Sequence, residues 1–362
     1  MKFISGFALV LGMASAVQAQ DLDLDALIAA AKAEPPTTAY AVTGKIVDTA
    51  AAFNAKYGLN LTGKKVNEAG QVDLLIRENQ AGNVTGSVSL ASDAAVIVTD
   101  LIAKGVVESW VPADIAPHLA PDARDPLVVV SDPHVWAYNA ELGETCPVTN
   151  IWQLTEPEWN RRVAMMDPLE KPAYADWFNQ LAEHHDAEMA AAYAAHFGKP
   201  FEGGSATEAW VKAFAANGPL VADSSGVSDA IGAPGQEKPF FGMLSTAKFR
   251  DNHDKGYKLA ICGGMQPFAG WLYPGLGVIA KATPAPNTAK LFLHYLLTEE
   301  GIASQSVDGK LPADPRIGLP AEEASGIAAH LQQLMVWNTA ASPSDLGRRQ
   351  DWQDLWMTEL KR

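Results

Sequence analysis

Several short stretches of the sequence set hydroxyl, glycine or lysine residues at the start of a helix-like run, an arrangement suited to holding an oxyanion. Thr43-Gly44-Lys45 is the clearest. It follows a strand-like run, Gly44 lets the backbone approach a ligand, and the Thr43 hydroxyl can hold a phosphate oxygen. Ser92, followed by Asp93, and Ser224 with Ser225 occupy the same kind of position. Each of these groups also serves as an ordinary helix cap, and the sequence leaves the two roles open. A carboxylate at Asp93 would repel phosphate unless it binds a sugar hydroxyl instead.

The densest chemistry lies in residues 161–197. Val163, Ala164, Met165 and Met166 read as a short buried strand, which Asp167-Pro168 ends. Pro172 suits the first position of a helix. Tyr174, Trp177, Phe178, Leu181 and Ala182 then mark one helical face. The chain therefore leaves a strand's carboxyl end at Asp167 and enters a helix whose first N–H groups, around Ala173 and Tyr174, are free to meet an anion. His184, His185 and Asp186 close that helix. Neutral imidazole donates and accepts, and a carboxylate accepts from hydroxyls, so the three suit a polyol. They equally read as solvated histidines and a capping aspartate for a helix beginning at Ala187. Glu208 stands three residues after Ser205, a capping-box spacing, and is kept as a candidate. Trp271, with Trp136 and Tyr273, offers an aromatic cleft wall or core packing.

Bond-breaking chemistry finds less support. Gly226-Val227-Ser228-Asp229-Ala230 lacks the last glycine of a nucleophile elbow, and no P-loop, G-x-G-x-x-G or H-E-x-x-H occurs. A secreted phosphate-ester hydrolase is the alternative from the enzyme class. No cofactor is expected.

Strands alternate with helices through residue 105, which means a parallel sheet covered by helices. Gly58 is the expected stop of the helix carrying Ile46, Ala50, Phe53 and Tyr57. Residues 94–104 read as a helix. Residues 126–139 hold two extended runs that cross between lobes. Residues 277–280 form a returning strand, residues 287–297 an amphipathic helix ended by Glu299-Glu300-Gly301, and residues 321–362 a helical tail.

The chain has 362 residues, 48% of them hydrophobic, enough for two domains. Residues 1–19 read as a cleaved secretory signal peptide, too short to span a membrane. The formal charge of −15 makes nucleic acid a poor partner. It does not exclude a small anion, because a few local donors outweigh a field screened within about 10 Å. Cys146 and Cys262 can pair in an oxidising compartment or remain two buried thiols.

With these residues in place, the chain resembles periplasmic substrate-binding proteins of ABC importers. The likeness is carried by Leu27-Ile28-Ala29-Ala30-Ala31-Lys32, Tyr40-Ala41-Val42-Thr43-Gly44-Lys45 and Ala52-Phe53-Asn54-Ala55-Lys56-Tyr57-Gly58. It continues through Val135-Trp136-Ala137-Tyr138-Asn139, Val278-Ile279-Ala280-Lys281 and the helix from Pro286 to Leu297. Within that family it is most similar to the ferric-iron-binding branch, which holds iron with two adjacent tyrosines and a histidine or glutamate. No Tyr-Tyr pair occurs here. Asp167-Pro168-Leu169, Tyr174-x-x-Trp177-Phe178 and His184-His185-Asp186 resemble instead a sub-branch that binds phosphorylated organic solutes, such as hexose phosphates or pyridoxal phosphate.

The resemblance implies an α/β fold of the type II periplasmic-binding class, with a ligand cleft between two lobes. Lobe 1 would comprise residues 20–136 and 266–313, and lobe 2 residues 137–265 and 314–362. It implies a monomer in the periplasm that captures a small anionic solute and delivers it to an inner-membrane ABC permease without chemistry.

Overall fold

The computed structural model describes residues 22–238 and 240–361. The signal peptide expected over residues 1–19 lies outside the described residues.

The first lobe begins with the expected alternation. Strand β1 (Thr37–Ala41) leads into the helix Lys45–Tyr57, β2 (Leu61–Lys65), the helix Glu68–Ala81 and β3 (Gly86–Ala91). β1 runs parallel to both β2 and β3. Gly58 closes the first of these helices in a left-handed conformation, φ 69°, which glycine adopts without a Cβ penalty. Residues 94–104 are only briefly α-helical. Ala94–Val96 widens at once into a π-helical turn over Ile97–Ile102. β4 (Val107–Ser109) follows.

β5 (Val128–Asn139) is a single twelve-residue strand where two extended runs were expected. Ser131 and Asp132 interrupt the apolar pattern without ending the strand, because the ladder to β10 (Gly270–Ala280) continues through them. That same pairing starts β10 at Gly270, well before residue 277. β6 (Val163–Met165), β7 (Leu220–Val221), β8 (Phe241–Ser245) and β9 (Leu259–Ile261) build the second lobe. Among the described residues twelve strands form one sheet, ordered β2-β1-β3-β10-β5-β8-β6-β7 along its main path.

Two expectations fail near the C-terminus. Glu299-Glu300-Gly301 does not end a helix. It opens the helix Glu299–Ser306, capped by Thr298, whose hydroxyl accepts from Gly301 N at 3.2 Å. Acidic residues favour a helix's first turn, so this signal marks a beginning. The tail is not helical throughout. After β11 (Leu311–Pro312), the strand β12 (Leu334–Val336) pairs with β10 before the long helix Ser342–Glu359.

The apolar cores divide at the middle of β5 and β10. Val128, Val129 and Val130 of β5, with Leu276, Val278 and Ile279 of β10, pack into the cores of the first lobe. Val135 to Tyr138 and Trp271 to Tyr273 pack into those of the second. The molecule is therefore a two-lobe α/β protein whose lobes are joined by two antiparallel strands. Trp352 and Trp356 attach the C-terminal helix to the second lobe's core. Cys146 and Cys262 form a disulfide, with Cα atoms 5.2 Å apart. Among the described residues no helix is long and apolar enough to cross a membrane.

Candidate functional site

A cavity of about 40 Å³ sits where the two crossing strands pass between the lobes. Its floor is Asp132 and His134 of β5 and Tyr273, Pro274 and Gly275 of β10. Thr43 and Ser92 enter from the first lobe, each just beyond a strand's carboxyl end. Lys171 enters from the second lobe, and Gln305 and Lys310 from the segment leading to β11.

Local chain geometry fixes each of these. Asp167 organises the loop before Lys171: its carboxylate accepts from Leu169 N at 3.0 Å and its carbonyl from Lys171 N at 2.8 Å. Pro172 then starts the helix Pro172–His184, leaving Lys171 as its cap with the ammonium directed across the cleft to Glu68. Burial pushes the Glu68 carboxyl up, and Lys171 opposes this. Asp132 accepts from the Ser245 hydroxyl at 2.6 Å and lies 3.4 Å from the Lys310 ammonium. Burial would raise the Asp132 carboxyl, but Lys310, His134 and Ser245 together hold it below the usual carboxylate value.

His134 is nearly enclosed, at 4% exposure. Its ring stacks on Trp271, with centroids 4.4 Å apart and planes 15° from parallel. Its Nδ1 lies 3.2 Å from the Tyr174 hydroxyl, and its Nε2 lies 4.0 Å from an Asp132 oxygen. Burial lowers its pKa to about 4, with Asp132 pulling upward and Lys171 and Lys310 pushing down. The imidazole is therefore neutral at neutral pH.

Beside the cavity, Arg349 of the C-terminal helix joins the lobes. It donates to Asp176 at 2.8 and 2.7 Å and to Asp93 at 3.1 and 2.7 Å. Asp93 also caps the turn at Val96 N, and the Tyr273 hydroxyl accepts from Ala94 N at 3.2 Å. Burial raises the Asp176 carboxyl to about 6 despite Arg349, and holds the Tyr273 phenol well above its ordinary value.

The candidates named from sequence are distributed unevenly about this cavity. Thr43 and Ser92 line it. Gly44 and Lys45 begin the helix beside Thr43, whose hydroxyl accepts from Lys45 N at 3.3 Å. Asp167 shapes the Lys171 loop. Ala173, Tyr174 and Trp271 are fully buried under the floor, the last two as direct supports of His134. His184, His185 and Asp186 gather at the other end of the Pro172–His184 helix, roughly 18 Å along its axis from Lys171. There His184 meets Asn338, and His185 meets Glu188. Asp186 does not cap its own helix. Its carboxylate accepts from the Ser205 hydroxyl at 2.7 Å, Ala206 N at 3.1 Å and Thr207 N at 2.7 Å, at the start of the next helix. Glu208 pairs with Lys212, four residues on. Ser224 opens the helix after β7, and the Ser225 hydroxyl takes a bond from Lys248 at 2.9 Å.

Sequence reasoning missed Asp132, His134, Lys171, Lys310 and Arg349. A signal for the first two was present. They stand two apart in a mostly apolar strand, so both face the same side. Lys310 and Arg349 had no local signal, because only tertiary folding brings them to the cleft.

A sequence-family model described as bacterial extracellular solute-binding protein matches residues 37–306. No significant match occurs among curated proteins. Among solved structures, iron-bound HitA from Pseudomonas aeruginosa superposes with a TM-score of 0.67 at 15% identity, covering 90% of this chain and 99% of that one. The substrate-binding protein of an ABC transporter from Agrobacterium tumefaciens gives 0.68 at 14%, covering 91% and 95%. The periplasmic binding protein P5PA gives 0.63 at 14%, covering 91% and 100%. At these identities the structures share a fold with this chain. The match of the family model over most of the sequence goes further: the chain belongs to the bacterial extracellular solute-binding proteins.

Proposed function

We propose that the protein is the periplasmic receptor of an ABC importer, and that it captures a small phosphorylated organic anion for the inner-membrane permease. One observation carries this reading: Lys171 and Lys310 converge with the Thr43 and Ser92 hydroxyls on one interlobe cavity. Two ammonium groups and two hydroxyls match the oxygens of a phosphate monoester. Thr43 stands at the start of the helix beginning at Lys45, whose positive end favours an anion. The packing of the cores moves the expected lobe bounds, 20–136 with 266–313, to the middle of β5 and β10: lobe 1 is taken as residues 20–130 with 276–313, and lobe 2 as the remainder of the mature chain. A cavity of about 40 Å³ holds little more than a few waters, so the lobes must part to admit the organic portion and close on the anion. Binding, closure and release require no bond to break, and the protein acts as a monomer.

Isothermal calorimetry with glucose 6-phosphate, pyridoxal phosphate and their dephosphorylated forms tests the reading. Binding that requires the phosphate supports it. Equal affinity for a phosphorylated solute and its dephosphorylated form removes the phosphate.

The likeness to iron-bound HitA favours ferric ion as a second reading. Against it, the sequence has no pair of adjacent tyrosines, the ligand pattern that the resemblance to the ferric branch implies.

A further inference from the structure

Between Asp132 and His134 lies a gap of defined size. The Tyr174 hydroxyl is fully buried, and its hydrogen-bond partner is His134 Nδ1 at 3.2 Å. If Nδ1 carried the ring proton, the phenolic hydrogen would be left buried without an acceptor, which costs more than the alternative tautomer. Tyr174 therefore donates to Nδ1, and the proton of the neutral ring sits on Nε2. Nε2 lies 4.0 Å from Asp132 Oδ2, too far for a direct bond. Among the described residues no side chain hydrogen-bonds Nε2. An oxygen about 2.8 Å from both atoms would sit at an angle of about 90°, open enough to accept from Nε2–H and donate to Oδ2. Among the oxygens an organic solute offers, one that accepts on one side and donates on the other is a hydroxyl, which takes the place a bridging water would hold. A deprotonated oxyanion oxygen can only accept, and the Asp132 carboxylate repels it.

We propose that Asp132 and His134 form a hydroxyl-reading subsite beside Lys171 and Lys310, so that the cognate solute is a hydroxylated anion and not a bare oxyanion. This inference rests on the interlobe cavity being the solute site. Trp271 under the ring and Ser245 on the other Asp132 oxygen hold the two groups in place, so the spacing is built before any ligand arrives. The anionic end of the solute faces the lysines, and its hydroxyl bridges the floor.

Two matched pairs of probes test this by calorimetry on the full-length mature protein: glycerol 3-phosphate against propyl phosphate, and glycerate against propionate. The hydroxylated member of at least one pair is expected to bind about tenfold or more tightly, since a hydrogen bond to a charged group is at stake. In Asp132→Asn that ratio should fall to within about twofold. His134→Phe keeps the ring on Trp271, deletes the donor and should erase the ratio too; a melting curve on each variant confirms folding. Equal binding within both pairs, a ratio that survives Asp132→Asn, or no binding by any of the four overturns the proposal. Binding of glycerate without glycerol 3-phosphate would instead overturn the phosphate reading and leave the hydroxyl subsite standing.

Discussion

Arg349 and Asp93 meet across the junction of the lobes, with the guanidinium donating to both carboxylate oxygens at 2.7 and 3.1 Å. The arginine belongs to the C-terminal helix of the second lobe, and the aspartate caps the turn just beyond β3 in the first. The same guanidinium grips Asp176 on its other edge. One cation thus holds two buried acids from different lobes. Replacing it with methionine strands both charges, and a broken buried pair costs about 3–5 kcal/mol. We expect Arg349→Met to lose stability of that order in urea unfolding, and to show a larger radius of gyration in solution scattering. A stable variant of unchanged radius would mean that Arg349 does not tie the lobes.

The buried histidine makes stability depend on pH. His134 has a pKa of about 4 in the fold against 6.5 when free. Between those values the unfolded chain binds the extra proton, so stability rises with pH through this window. The contribution is complete above 6.5 and drains away as pH falls toward 4. Asp132, Lys171 and Lys310 face the ring, and Asp132, held low, adds a loss of the same sign on acidification. Between pH 7 and 4.5 the histidine accounts for about 3 kcal/mol at most. The double variant His134→Phe, Tyr174→Phe keeps the stack and leaves no orphaned hydroxyl. Its unfolding free energy should fall less over that pH range than the wild type's; an unchanged slope would move the effect elsewhere.

A ferric site built on tyrosinate should not form. Burial keeps the Tyr174 and Tyr273 phenols raised, so neither ionises readily at neutral pH. Titrating the purified protein with ferric citrate is expected to leave it colourless in the visible. A tyrosinate charge-transfer band would restore iron as the ligand.

Thr43 and Asp186 separate ligand contact from folding. Thr43→Val preserves shape and deletes the hydroxyl in the cavity wall, so affinity for a phosphate ester should drop about ten- to a hundred-fold with stability little changed. Asp186→Ala removes the carboxylate that caps the helix Ala206–Ala216, at a cost of about 1–2 kcal/mol. Its affinity for the same ester should be unchanged. An affinity loss in Asp186→Ala without a stability loss would return that end of the helix to the binding site.

These pairs also indicate how far the sequence could be read. Runs with one period were legible: the β1–helix–β2 alternation, the Gly58 stop and the strand–loop–helix from Val163 onward follow from spacing and from proline and glycine. Thr43 and Ser92 were legible because a hydroxyl at a strand's end is a local pattern. The acids and bases that complete the cavity were not. Asp132 and Lys310 are 178 residues apart in sequence yet 3.4 Å apart in space, and no window of neighbours reports that. Asp186 misled for a related reason: spacing shows that an aspartate can cap, but the helix it caps begins twenty residues later. The strand β12 was hidden because three residues carry almost no periodic signal.

Because β5 and β10 run unbroken from one lobe into the other, Asp132, His134 and Tyr273 sit on the axis about which the lobes would turn. Points on an axis travel least. In the proposed closure Thr43 and Ser92 would travel with one lobe and Lys171 with the other, so their spacing would be set anew each time. On the proposed reading the floor would act as a fixed gauge, and the walls as jaws that shut on whatever the gauge has accepted. A solute that satisfied the floor would then be held in the open state by few contacts, with its affinity decided only when the jaws arrive.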